Sequence, residues 1–157
     1  MSISFQNIRS CKLFDGLDDR ELETLQLLFT EHQMGEGKTV FVENMAAESL
    51  YLITRGTVAV FKMLAEGEEK TLAVLGAGEL FGEMALFDNT PRAATARVAE
   101  SATILSIKKS SFDAFCQNNP AVALKLLRNI VKIFCAQLRE TDGDFRNRFK
   151  VAFSEMN

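Results

Sequence analysis

Between Lys38 and Ser106 the apolar residues of this chain recur with a period of two, whereas on either side they recur at helical spacing. No other feature narrows the fold as much. Successive strand residues face opposite sides of a sheet, while helical residues return to one face every three or four positions. Val40 and Val42 alternate with Phe41 and Glu43, and Leu50, Leu52 and Thr54 with Tyr51, Ile53 and Arg55. Val58, Val60 and Lys62 alternate with Ala59, Phe61 and Met63, and Leu72, Val74, Ile104 and Ile107 extend the β-rich runs. Turn clusters separate them at Asn44-Met45-Ala46-Ala47, Arg55-Gly56, Glu66-Gly67-Glu68 and Gly76-Ala77-Gly78. Short strands with regular turns predict an antiparallel β-barrel or jelly roll. One run, Gly82 to Phe87, breaks the period and reads as a brief helix set between strands.

The flanks are helical. Asp18 with Glu21 forms a capping-box pattern, after which Leu22, Leu25, Leu28 and Phe29 recur at helical spacing until Met34-Gly35-Glu36-Gly37. Beyond the β-rich region, Ser110 is placed to cap a short helix through Cys116, and Pro120 opens a longer one at its first position. On that helix Lys125, Arg128, Asn129, Lys132 and Arg139 share a face. Leu126, Leu127, Ile130, Val131, Ile133, Phe134 and Leu138 spread over more than half the circumference. A helix packed on one surface needs a narrower stripe, so two burial surfaces are expected, the second supplied by another copy of the chain. Gly143 reads as a stop, followed by a last short helix with Phe145, Phe149 and Phe153 four apart. The expectation is one domain over residues 1–157: a helical front (1–34), a β-barrel region (38–108) and C-terminal helices (110–157). It is mainly β with flanking helices.

Composition removes several functional classes. A net charge of −3 and a pI near 5.3 argue against general affinity for nucleic acid or anionic membranes, so any bound anion requires a local site. The chain has one histidine, His32, expected on the surface at a helix end, which is too few for a histidine metal site or a nucleophile–histidine set. No enzymatic activity, metal or cofactor is expected. Cys11, Cys116 and Cys135 read as reduced, buried thiols, and neither a leader nor a membrane span is legible, so a cytoplasmic location is expected.

The segment that carries chemistry runs Phe81-Gly82-Glu83-Met84-Ala85-Leu86, then Pro91-Arg92-Ala93-Ala94-Thr95. It resembles the phosphate-binding cassette of the cyclic-nucleotide-binding domain family, which includes bacterial catabolite activators and regulatory subunits of cAMP-dependent protein kinase. The similarity extends more loosely from Leu13 to Leu138, through Phe14-Asp15-Gly16-Leu17 and Leu50-Tyr51-Leu52-Ile53-Thr54-Arg55-Gly56. The residue types suit a phosphodiester. A short helix from Gly82 offers unpaired N–H groups, and Gly82 lets the backbone approach a ligand. Arg92 supplies a planar fork that bonds both free oxygens, which lysine could not do. Ala93 and Ala94 leave the facing backbone uncovered. Singly, each has a plainer reading: Glu83 as a favourable helix-start residue, Arg92 as a solvated loop residue, Gly82 as a turn.

The resemblance implies a ligand-binding set of Phe81, Gly82, Glu83, Met84, Ala85, Arg92, Ala93 and Ala94, with Glu83 on the ribose 2′-hydroxyl. Alanine at position 93 resembles the cAMP class, cGMP sites in the family often carrying threonine there. The family often has a glycine-rich turn where this chain has Glu43-Asn44-Met45-Ala46-Ala47-Glu48, a loop the resemblance puts away from the cassette. Asn44 can take the left-handed backbone such a turn needs. The family also implies a C-terminal helix that swings over the base, which makes Leu127, Ile130, Phe149 and Phe153 lid candidates. Equally, the last phenylalanines could simply dock on the protein's own surface. A stand-alone sensor of cAMP, less readily cGMP, is therefore expected, signalling through the C-terminal helix, a homodimer or an effector protein. Direct DNA or membrane binding is not expected, and a module that keeps the fold without a nucleotide is the alternative.

Overall fold

The computed structural model describes residues 9–155, with the side chains of 85, 142 and 144–155 outside the description. After a 3-10 turn at Lys12–Phe14 come α1 (Asp19–Gln26), β1 (Thr30–Met34), β2 (Thr39–Phe41), β3 (Ser49–Met63), β4 (Glu69–Leu75) and β5 (Leu80–Phe81). A 3-10 turn at Glu83–Leu86 precedes β6 (Thr95–Lys108), α2 (Lys109–Asn118) and α3 (Pro120–Glu155).

The six strands form one antiparallel sheet in which two long strands do most of the pairing. β6 lies beside β3 along its length, with Leu52 opposite Leu105 and Val60 opposite Ala96. β1 and β2 complete the other side of β6, while β4 and β5 complete the other side of β3. The expected mainly-β wrap with flanking helices is present. The path β1-β6-β3-β4 does not join its ends, so the sheet is not a closed barrel.

One long β3 replaces the two strands that Arg55-Gly56 was expected to separate. Register shifts between Ile53 and Val58 let the strand bend without ending. Gly56 makes this feasible. Its φ is +82°, and a Cβ there would lie 2.3 Å from the Ser101 carbonyl oxygen and 2.6 Å from the Ala102 Cα. No other residue fits so close to a neighbouring backbone.

β3 and β6 bury residues on both their faces, among them Leu50, Leu52, Val58 and Phe61 and Ala96, Val98, Ile104, Leu105 and Ile107. Ile53, Val58, Val98 and Ile104 form one cluster; Leu52, Leu105 and Ile107 join a second with the helices through Leu13, Phe14, Leu25, Phe112, Leu126 and Ile130. Each fully buried leucine or isoleucine contributes about 2 kcal/mol by leaving water.

The helical expectations hold in part. Asp18 and Glu21 form the capping box, each side chain accepting from the other's backbone N–H at 2.9 Å. Pro120 opens α3. The helical front, however, ends at Gln26, and Thr30–Met34 is a strand paired with β6. His32 is therefore not at a helix end: it sits half-buried on β1 with Nε2 2.8 Å from Ser106 Oγ. Lys108, not Ser110, is the N-cap of α2, and it makes no side-chain cap bond. α3 continues through Gly143 to Glu155, so the stop and the separate last helix are absent. Cys135 is exposed rather than buried. Asn129, expected on the polar face of α3, is buried, and its amide donates to the carbonyls of Leu13 (2.9 Å) and Asp15 (2.8 Å).

Candidate functional site

The loop from β5 to β6 carries the cassette, and the strands at its two ends fix its place. β5 ends at Phe81, opposite Tyr51 of β3, and β6 begins at Thr95, opposite Phe61 of the same strand. Gly82, at φ +68°, turns the chain out of β5 into the 3-10 turn Glu83–Leu86. A Cβ on Gly82 would lie 2.6 Å from Arg92 Nη1 and 3.2 Å from Tyr51 Cδ2, so the residue provides both the turn and the room for the guanidinium.

Arg92 is the centre of the site. It is 6% exposed, not the solvated loop residue its sequence neighbours suggest. Nη1 donates to the Gly82 carbonyl at 3.0 Å and Nη2 to the Ser49 carbonyl at 2.7 Å. Its Cζ lies 4.0 Å from the centre of the Phe41 ring and 5.6 Å from that of Tyr51. Tyr51 in turn stacks on Phe81 with centroids 5.1 Å apart. Among the described residues no carboxylate forms an ion pair with Arg92, and its Nε is buried without a partner. Burial pulls its pKa below the ordinary value, and Tyr51 and Glu83 oppose that shift.

Carbonyl bonds and ring contacts only partly offset the cost of burying such a charge. An anion in the adjoining space would complete the compensation. That space is a cleft of about 570 Å3, a size suited to a small organic ligand. Phe81, Gly82, Glu83, Met84, Arg92, Ala93 and Ala94 all line it, together with Thr90 and Pro91. Of the expected set only Ala85 is not among the lining residues, and its side chain lies outside the description. Val60, Ala73, Val74, Leu75 and Leu80 form an apolar wall, and Gln137, Glu140 and Thr141 of α3 stand at the cleft. Arg92 is the one cation among the lining residues. Burial pushes the Glu83 carboxyl above its ordinary value, against its own backbone N–H and the Arg92 charge.

The lid candidates fall elsewhere. Ile130 is buried in the core and Leu127 packs against it; neither lines the cleft. The α3 residues that do reach the cleft come about two to four turns later. The side chains of Phe149 and Phe153 lie outside the described residues.

Phe41, Tyr51 and Ser49 were missed. The only signal for the rings was their place in alternating runs, which reads equally well as core. The 43–48 loop was also misplaced: it lies against the cassette. Asn44 N–H donates to the Arg92 carbonyl (2.8 Å), Arg92 N–H to the Met45 carbonyl (2.9 Å), and Ala47 lines the cleft. Asn44 does adopt the left-handed backbone, with φ 67°.

The chain is similar in sequence and fold to known proteins. The sequence profile of the cyclic nucleotide-binding domain matches residues 31–119. The chain is 33% identical over 135 residues to the cyclic AMP receptor protein of Thermus thermophilus, covering 86% of this chain and 61% of that protein. It thus spans about three fifths of that relative's length. The regulatory domain of Toxoplasma gondii PKA, crystallised with cAMP, superimposes with a TM-score of 0.60 at 31% identity, over 69% of this chain and 41% of that one. A cyclic nucleotide-binding domain from Methylobacillus flagellatus shares the fold with a TM-score of 0.81 at 22% identity, over 92% of this chain and 81% of that one. With the profile covering the sheet and the whole cassette, the chain belongs to the cyclic nucleotide-binding domain family.

Proposed function

We propose that this chain is a sensor domain that binds cAMP in preference to cGMP and passes the signal on through α3. The observation that carries the reading is the buried Arg92 guanidinium, which forms no ion pair with a carboxylate among the described residues and faces a cleft of nucleotide size. The printed names of its relatives support the choice of ligand, one being a cyclic AMP receptor and another a domain crystallised with cAMP.

In this reading the phosphodiester takes the N–H groups of Arg92 not already bonded to Gly82 and Ser49. Each terminal nitrogen carries two hydrogens and uses one on a carbonyl. The carboxylate of Glu83 accepts from the ribose hydroxyl. The purine lies along Val60, Ala73, Val74 and Leu75 and reaches toward Gln137, Glu140 and Thr141, which makes α3 the element that senses occupancy. No step requires a catalytic group or a metal. The partner of α3 is a second copy of the chain, an effector protein, or both.

A nucleotide-free interaction module is the second reading, and one observation favours it: both ends of the Arg92 fork already have carbonyl partners. Equilibrium dialysis against cAMP and cGMP decides between them. The expected result is saturable binding with cAMP the tighter ligand, and a narrower gap in Ala93→Thr, whose hydroxyl can accept from the guanine amino group. No binding of either nucleotide at millimolar concentration would establish the second reading.

A further inference from the structure

The segment between β2 and β3 holds Arg92 at three places. Asn44 N–H donates to the Arg92 carbonyl at 2.8 Å, and Arg92 N–H donates to the Met45 carbonyl at 2.9 Å. This reciprocal pair clamps the Arg92 backbone on both sides of its Cα. Three residues further along the cassette, Thr95 Oγ1 accepts from the Glu43 N–H at 3.0 Å, and Thr95 is itself buried. Where the segment enters β3, the Ser49 carbonyl takes Arg92 Nη2 at 2.7 Å. Backbone and fork are therefore both positioned by residues 43–49.

The geometry of that segment turns on a single residue. Asn44 has φ 67°, and the only other described residue besides glycine with positive φ is Glu66, which is not among the cleft-lining residues. Asn tolerates left-handed backbone because its short polar side chain has little steric conflict there, whereas β-branched residues are strongly disfavoured. With Asn44 left-handed, its N–H and the Met45 carbonyl face the same neighbour, Arg92. A negative φ at this position would rotate the Asn44 N–H away and break the reciprocal pair.

We propose that Asn44 is a positioning residue for the anion site, its left-handed backbone setting the Arg92 guanidinium where it meets the phosphate. The proposal rests on the nucleotide reading above for its effect on affinity, but the placement of the guanidinium is measurable without any nucleotide. Local strain at one position is thereby tied to the affinity of a site whose ligand it does not touch.

The experiment pairs two readouts on the full chain. In cAMP titrations, Asn44→Val is expected to weaken binding at least tenfold, while the conservative variant Asn44→Gly, for which positive φ carries no steric penalty, rescues parental affinity. In an Arg92→Ala background, Asn44→Val should change the affinity less than twofold, because its effect is exerted through the guanidinium. In the ligand-free protein, the Arg92 Nε–H resonance should shift in Asn44→Val and stay in place in Asn44→Gly. If Asn44→Val shows no cooperative unfolding transition, Asn44→Ala takes its place in both arms with the same directions expected. Parental affinity in Asn44→Val, or losses that multiply fully with Arg92→Ala, would overturn the proposal. A parent chain that fails to bind cAMP would sink the nucleotide reading alone. The resonance of Arg92 would then decide on Asn44 by itself, an unmoved signal in Asn44→Val ruling it out.

Discussion

Arg92 and Glu83 show how the same loop can make two charges uncomfortable in opposite ways. Guanidinium groups keep their charge in proteins, so the arginine cannot relieve its burial by losing a proton and an anion would offset it. Glu83 can relieve its burial by taking up a proton. Its pKa is raised from the ordinary value of 4.5, with desolvation the leading cause. A carboxyl whose folded pKa lies above its unfolded one binds more protons when folded, so the stability it contributes is full below the unfolded pKa and lost as pH rises through the folded pKa. Glu83→Gln keeps the hydrogen-bonding shape and removes the titration. Denaturant unfolding of the ligand-free protein should show the variant gaining stability relative to the parent between pH 4.5 and pH 7.5. An identical difference at both ends would mean that Glu83 is solvated.

Among the described residues, α3 carries a line of exposed apolar side chains. Ala123, Leu126 and Ile130 are buried under the N-terminal turn, and Leu127, Ile133 and Phe134 are partly covered. Leu124 and Val131 are each 57% exposed and Leu138 is 70% exposed, seven residues apart along the same helix. A repeat of seven is the spacing at which two helices keep a common seam, so the proposed second copy packs along this line. Phe134 would be a poor probe, since it also touches the chain's own core. Leu138→Glu is the cleaner one. Sedimentation at micromolar concentration should give twice the chain mass for the parent and a shift toward monomer for Leu138→Glu; a parent that stays monomeric would leave the seam without this partner.

How much of this could be read in advance depends on whether the signal was local. Asp18 with Glu21, Pro120, and the glycine that opens the cassette act within a few residues, and each was legible. β1 was not: Thr30-Glu31-His32-Gln33-Met34 carries little apolar alternation, and its place follows from the edge that β6 offers it. Asn129 looked like a surface residue because its partners, the carbonyls of Leu13 and Asp15, lie more than a hundred positions away in the chain. Gly143 failed as a stop signal, since a glycine inside a long helix costs only about 1 kcal/mol, too little to end it. The cleft-lining cassette residues were legible as a motif, but the aromatic bed of Phe41 and Tyr51 beneath Arg92 was not, because alternation in a strand does not say which face meets a cation.

At the scale of the whole molecule, one helix links the cleft to the N-terminal end. Gln137, Glu140 and Thr141 stand at the cleft, while Asn129 bonds the carbonyls after the first turn and Lys125 Nζ holds Glu21 at 2.8 Å. That ion pair holds the Glu21 carboxyl below its ordinary value. In the proposed reading, occupancy of the cleft biases how α3 lies against Glu21 and the N-terminal turn. The chain's net charge of −3 gives an anionic ligand no general attraction, so the proposed binding rests on Arg92. Isothermal titration of cAMP into the full chain, alongside Arg92→Ala, tests this most directly. The account predicts saturable binding by the parent and a loss of at least about 2 kcal/mol, roughly thirtyfold, in the variant. Equal cAMP affinity in the parent and in Arg92→Ala would contradict it.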